Sequence, residues 1–158
     1  MGVVQLNSEL NLKYPESFAV MTDEELKKHK FYEDAPGFCI SDEGGHMVVS
    51  FSWRQANPFV VMVVGTKDVA RNMEAKVRKP MSRFGYRLEE FMMREVGGKQ
   101  ADGYRYSYEV QGTGMMGESL SVKSGSNFYY IHCYLREALR EESLRVLDEI
   151  FGAVTWEG

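Results

Sequence analysis

From Gly103 to Leu135 the chain runs through three stretches of alternating character, Gly103 to Gln111, Met115 to Lys123 and Phe128 to Leu135, separated by Gly-Thr-Gly and Ser-Gly-Ser-Asn. A period of two broken by short glycine-bearing gaps predicts a three-stranded antiparallel meander with turns of three and four residues. A slip of one residue would move every side chain to the opposite face, so the hydrophobic pattern selects a register. A three-residue loop at Gly112 to Gly114 pairs Tyr104 with Val122, Tyr106 with Leu120, Tyr108 with Glu118 and Val110 with Met116. A two-residue loop is rejected because it sets Leu120 against Ser107 and Glu109 against Glu118, a like-charge cross-strand pair. The four-residue turn then puts Tyr129, Ile131, Cys133 and Leu135 beside Val122, Leu120, Glu118 and Met116 on the inner face. Glu118 is the exception there, buried between Tyr108 and Cys133. A buried carboxylate must be hydrogen-bonded or protonated, so Tyr108, a backbone amide or an ordered water is expected to meet it, and Glu118→Leu to be tolerated.

The same register gives the other face three rows: Arg105, Ser121, Tyr130; Ser107, Ser119, His132; and Glu109, Gly117, Tyr134. Serine, histidine and glutamate are the residue types of a nucleophile, a base and an orienting acid. Flat mid-strand serines, however, lack the strained turn and free amide donors that acyl transfer needs, so ordinary polar sheet-face residues are the better reading. Tyr130, His132 and Tyr134 stand opposite small neighbours and leave a groove. Covered by a helix, these side chains are core. Left open, they are a candidate surface for a partner or for a second copy in a homodimer.

Outside the meander, Leu10, Leu12 and Tyr14 alternate, and Pro15 to Ser17 separates them from Phe18 to Met21, as two short strands across a turn. Thr22 and Glu25 form a capping box for a helix from Asp23 to about Lys30. Phe38, Ile40 and Met47 to Trp53 flank Asp42-Glu43-Gly44-Gly45, the pattern of a hairpin. Phe59 to Val64 reads equally as a buried strand or as a helix capped by Asn57 with Pro58 at its first position. Thr66 can cap a helix reaching Phe84, with Val69, Met73, Val77 and Met81 inward, a kink at Pro80 and a stop at Gly85. Tyr86 to Val96 is a further strand. Leu144, Leu147, Phe151 and Val154 make the apolar stripe of a closing helix, Glu141 to Val154.

A chain of 158 residues suits one domain and builds a core without metal or disulfide, so its two cysteines need form no framework. A net charge of −4 carries none of the basic excess expected for nucleic-acid binding. No apolar run approaches the ~20 residues of a membrane-spanning helix. The expectation is a soluble cytoplasmic protein, with the reservation that a removed leader or lipoprotein signal would leave no trace in the chain. Cys39 and His46 share a face of the predicted hairpin, but two ligands make no metal site, and no CxxC or HExxH completes one. The glycine pairs match no phosphate loop, so no cofactor is expected. Lys67, Arg71, Lys76, Arg78, Lys79 and Arg83 outweigh Asp68 and Glu74 on the predicted helix. Most charged helix faces are merely solvated; the sharper reading makes Arg71, Arg78 and Lys79 a dock for an acidic protein partner. Met73, Met81 and Met116 read as core filler.

The order of strand pair, short helix, hairpin, long helix, meander and closing helix resembles the PsbP-like superfamily, whose fold is shared with the Ran-binding Mog protein. The stretches that carry the likeness to its small uncharacterised bacterial members are Tyr14-Pro15, Val48 to Trp53, Lys67 to Arg87, Gly103-Tyr104-Arg105-Tyr106 with Val110-Gln111-Gly112, Gly117-Glu118-Ser119 and Trp156. The resemblance implies an α+β domain over residues 1–158, with an antiparallel sheet of about six strands and helices on both faces. It also implies a non-enzymatic binding or accessory role. No residue matches a Ran-binding surface or a photosynthetic metal site. The expected function is therefore a non-catalytic protein-binding module. The alternative is a small-ligand carrier with a pocket lined by Tyr104, Tyr106, Tyr108 and Met116.

Overall fold

The computed structural model describes residues 2–22, 24–25, 37–44 and 46–157. The meander forms as β7 (Lys99–Val110), β8 (Thr113–Ser124) and β9 (Asn127–Arg136), each longer than the alternation alone marks out. The second hairpin keeps the expected register, with Val122 opposite Tyr129, Leu120 opposite Ile131, Glu118 opposite Cys133 and Met116 opposite Leu135. The first does not. Val110 pairs with Thr113 across a two-residue turn in which Gln111 and Gly112 have φ of 49° and 83°. Positive φ at both central residues is a type I′ turn, whose twist matches the strands it joins.

The consequence is a different partner for every residue of β7. Tyr104 stands opposite Ser119, Tyr106 opposite Gly117, Tyr108 opposite Met115, and Arg105 opposite Glu118. Large rings thereby sit beside the smallest residues of β8, and a carboxylate meets a guanidinium. A Cβ on Gly117 would lie 2.1 Å from the Tyr106 ring, so glycine is required there by close approach. The three tyrosines occupy the polar face, opposite to the face the alternation assigned them.

The hairpin β4 (Phe38–Asp42) and β5 (Met47–Gln55) adds to β9, and β6 (Arg87–Val96) adds to β7. With β3 (Phe18–Val20) at its other end, the resulting sheet has seven antiparallel strands among the described residues, in the order β3-β4-β5-β9-β8-β7-β6. The N-terminal strands form, but they do not pair with each other. β2 (Leu10–Tyr14) lies between β1 (Gly2–Gln5) and β10 (Thr155–Trp156) in a small second sheet, while β3 (Phe18–Val20) joins β4. Thr22 and Glu25 make the reciprocal capping bonds at 3.1 and 3.2 Å, and the rest of that predicted helix lies outside the described residues.

Residues 58–63 are helical, as α1 (Pro58–Val63), with the Phe59 N–H donating to the Asn57 carboxamide oxygen at 2.8 Å. The next helix, α2 (Thr66–Val77), is shorter than its stripe suggests. Proline has no N–H and crowds the preceding turn, so Pro80 ends this helix instead of kinking it. A turn and a 3-10 segment, Ser82–Phe84, carry the chain to Gly85 at φ 70°. The closing helix α3 spans Arg140–Gly152.

Helices cover both faces of the large sheet. On one face Leu147 and Phe151 of α3 pack with Leu120 and Ile131 of the sheet; on the other Val77 of α2 and Met81 pack with Tyr104, Tyr106 and Tyr134. The buried residues of α2 are Thr66, Ala70, Glu74 and Val77, with Val69 and Met73 only partly buried.

Candidate functional site

Three groups of residues carry charge or unusual exposure. The first surrounds Glu118, which is fully buried as expected. Its partners differ from the expectation. The Arg94 Nε donates to Oε2 at 2.7 Å, the Arg94 Nη2 to Oε1 at 3.2 Å, and the Arg105 Nε to Oε1 at 2.8 Å. Arg94 also binds Asp148 of α3 and lies over the Phe151 ring at 5.2 Å. Burial alone would lower Arg94, but its bonds to Glu118 and Asp148 hold it above its ordinary value. Cys133 packs on the same face, its thiol pushed well up by burial, with the Glu118 charge adding to the effect. Tyr108 is buried on the opposite face and does not meet Glu118; Arg105 is likewise on the opposite face from Tyr130, His132 and Tyr134. Replacing a buried carboxylate between two guanidiniums with leucine would take away the partner of Arg105 and leave Arg94 with Asp148 alone, so the structure argues against the tolerance expected of Glu118→Leu.

The second group is the face beneath α2. Tyr134 is 9% exposed and joins the core with Val77 and Met81, so the helix-covered outcome applies to it. Ser119 Oγ and His132 Nδ1 are 2.8 Å apart. Burial pushes the His132 imidazole down to about 4, although the residue retains some accessible surface. Glu109 is exposed and paired with Gly114, while Ser119 pairs with His132 further along β8, so Glu109 is not set beside this pair. Tyr130, between Ser52 and Ser121, is partly buried. The carrier pocket does not assemble: Tyr104, Tyr106 and Tyr108 are 0 to 5% exposed and stack at 5.7 and 5.5 Å, while Met116 is on the other face. Cys39 is buried under α2, its thiol pushed up to about 12, whereas His46 borders an open cleft of about 260 Å³ on the α3 side; the two are not brought together. In that cleft the Asp42 carboxylate accepts the backbone N–H groups of His46 and Met47 at 2.7 and 3.1 Å.

The third group is α1 with the outer face of α2. Lys67, Arg71, Lys76, Arg78, Lys79 and Arg83 are all exposed. Arg78 is committed to the buried Glu74 through bonds of 2.6 and 2.5 Å, and the Tyr86 hydroxyl donates to the same carboxylate at 2.7 Å. The bond from Arg78 is the main reason that Glu74 is held below the usual carboxylate range. Just before α2 in the chain stands an apolar element that periodicity did not flag as a surface: in α1, Phe59 is 66% exposed, Met62 74% and Val63 57%. Lys123 fixes this helix to the sheet by donating to the Val61 and Val64 carbonyls at 2.7 and 2.9 Å. The signal available in the sequence was length: six apolar residues starting at an Asn-Pro cap make under two turns, too short to bury every side around a helix axis.

No protein-family model matches the chain, and no curated protein sequence matches it. Solved structures do. The cyanobacterial PsbP (CyanoP) of Synechocystis sp. PCC 6803 superimposes with a TM-score of 0.64 at 10% identity, over 94% of this chain and 86% of that one. LpqN of Mycobacterium tuberculosis, described as involved in cell envelope biogenesis, gives 0.58 at 12% identity over 94% and 83%. A Bacteroides thetaiotaomicron VPI-5482 protein gives 0.57 at 11% identity, over 94% of this chain and 45% of that one. Together with the seven-stranded antiparallel sheet covered by helices on both faces, these superpositions establish that the chain has a PsbP-like α+β fold.

Proposed function

We propose that the chain is a non-catalytic module that binds a protein partner through α1 and the adjoining basic face of α2. The observation that carries this reading is α1 itself, a helix with no buried residue and with Phe59, Met62 and Val63 more than half exposed. A contiguous apolar element held out from the body of a protein is costly in water unless another surface covers it. It is anchored at both ends, by the Asn57 cap and by Lys123, so it is presented in one conformation and little ordering entropy opposes docking. Lys67 and Arg71 follow within two helical turns, and Lys79 lies past the end of α2. The partner that fits is therefore acidic, with apolar side chains to cover α1.

Arg71, Arg78 and Lys79 were the sequence-level candidates for this dock. Arg78 is a poor choice for a charge reversal because it neutralises buried Glu74. The test uses two variants: Phe59→Ser with Met62→Ser, and Lys67→Glu with Arg71→Glu and Lys79→Glu. Affinity capture from the source cell with quantitative mass spectrometry should show the same protein enriched by the wild type and lost from both variants, with melting temperatures within a few degrees of wild type because the changed residues are exposed. Capture unchanged in both variants would refute the reading.

A further inference from the structure

Strand β6 is the outermost strand of the large sheet, ten residues long, with no strand on its far side among the described residues. Its hairpin with β7 turns at Gly97 and Gly98, with φ of 57° and 81°, a type I′ turn. Such a turn closes on a pair that exchanges both backbone hydrogen bonds, here Val96 and Lys99. Hydrogen-bonded and non-hydrogen-bonded pairs alternate along an antiparallel ladder. Glu90, Met92 and Arg94 accordingly spend their backbone groups on β7, and Phe91, Met93 and Glu95 turn theirs outward. Two of those outward residues are also exposed hydrophobics, Phe91 at 47% and Met93 at 62%. A register shift between Leu88 and Glu90 marks a bulge at Glu89, which bends the strand and limits any further pairing to the segment after it.

We propose that this edge pairs with the β6 edge of a second copy, antiparallel, about a two-fold axis through Met92. Opposite residues in an antiparallel pair share a face, so only registers stepping by two keep the faces matched. The register centred on Met92 places Phe91 against the partner's Met93 on both sides of the axis, which joins the outward backbone groups of the same residues. It places Met92 against itself and Glu90 against the partner's Arg94. Centring on Phe91 would set Glu90 against Met92, and centring on Met93 would set Met92 against Arg94 and Phe91 against Glu95, so only the register centred on Met92 gives all of residues 91–93 apolar partners. Arg94 is already bound to Glu118 and Asp148 of its own chain, so the seam rests on its apolar pairs. The self-complementary apolar pairing of residues 91–93 favours a second copy over an unrelated extended peptide.

The test joins sedimentation velocity with one cysteine variant. Wild type should show a concentration-dependent monomer–dimer equilibrium, weakened at least about tenfold by Met93→Lys, with the near-UV circular dichroism of the monomer unchanged. A non-hydrogen-bonded pair holds its Cα atoms about 4.5 Å apart, within disulfide reach, so Met92→Cys should oxidise to a covalent dimer. Glu95→Cys, displaced along the seam, should not, and the natural Cys39 and Cys133 are buried and do not compete. Phe59→Ser with Met62→Ser should leave the dimer intact, which separates this interface from the partner surface on α1. A wild type that stays monomeric up to about 1 mM, an association indifferent to Met93→Lys, or cross-linking through Glu95→Cys in place of Met92→Cys would overturn the proposal.

Discussion

Glu118 is buried without exposure to water, and its cost is offset by two arginines, one 10% and the other 21% exposed. Removing the anion takes from Arg105 its carboxylate partner and leaves Arg94 with Asp148 alone, so Glu118→Leu should destabilise the fold by about 3–5 kcal/mol in urea unfolding at neutral pH. A loss under about 1 kcal/mol would mean that the arginines find water instead. The burial of this residue was legible from the register of the second hairpin, which is correct. Its partners were not, because they depend on the first hairpin, where Tyr104 stands opposite Ser119 instead of Val122. His132 offers a second test. Its imidazole titrates near 4 against an ordinary 6.5, so the folded chain prefers the neutral ring. Between these values the unfolded chain takes up a proton that the folded chain does not, and stability falls as the pH drops from 6.5 toward 4, by at most roughly 1.4 kcal/mol per pH unit. Above 6.5 this contribution is fully retained. His132→Asn, which keeps a polar atom near Ser119, should show a smaller loss between pH 7 and pH 5 than wild type does; equal losses would refute the assignment.

At the scale of elements, the error in the first hairpin comes from one turn. Gln111 adopts φ 49°, a left-handed conformation that glycine and asparagine accept more readily than glutamine. Gly-Thr-Gly looked like the loop because two glycines bracket it, yet Thr113 and Gly114 belong to β8. Gln111→Asn should therefore relieve backbone strain and raise stability by about 0.5–1 kcal/mol, seen as a rise of a few degrees in melting temperature. No change, or a fall, would contradict the type I′ assignment. Helix α2 shows a comparable competition: the stripe of Val77, Met81 and Phe84 continues past Pro80, but a helix cannot, and Met81 and Phe84 reach the core from a turn and a 3-10 segment. Periodicity located the buried residues there and overstated the helix that carries them. For residues 58–63 the cap Asn57-Pro58 was the better guide, since it bears on backbone geometry directly.

For the molecule as a whole, the antiparallel sheet with helices on both faces was implied by the family resemblance that the order of elements carries, and the superpositions on CyanoP and LpqN agree with it. Alternation cannot say which strands become neighbours, so the assignment of β2 and β3 to different sheets was out of its reach. It is also blind to the surfaces that matter most for function. Phe59, Met62, Phe91 and Met93 look like core residues in sequence and stand exposed in the fold. The first two belong to α1 and the others to the free edge of β6, both on the α2 side of the sheet. The central claim is that α1 is a protein-binding surface, and the most direct measurement is site-specific photo-cross-linking in the source cell. A benzophenone amino acid at Met62 should give one discrete adduct that disappears in the Lys67→Glu, Arg71→Glu, Lys79→Glu background, while the same probe at exposed Lys13 on the small sheet should give none of that product. No adduct from Met62, or the same products from both positions, would contradict it.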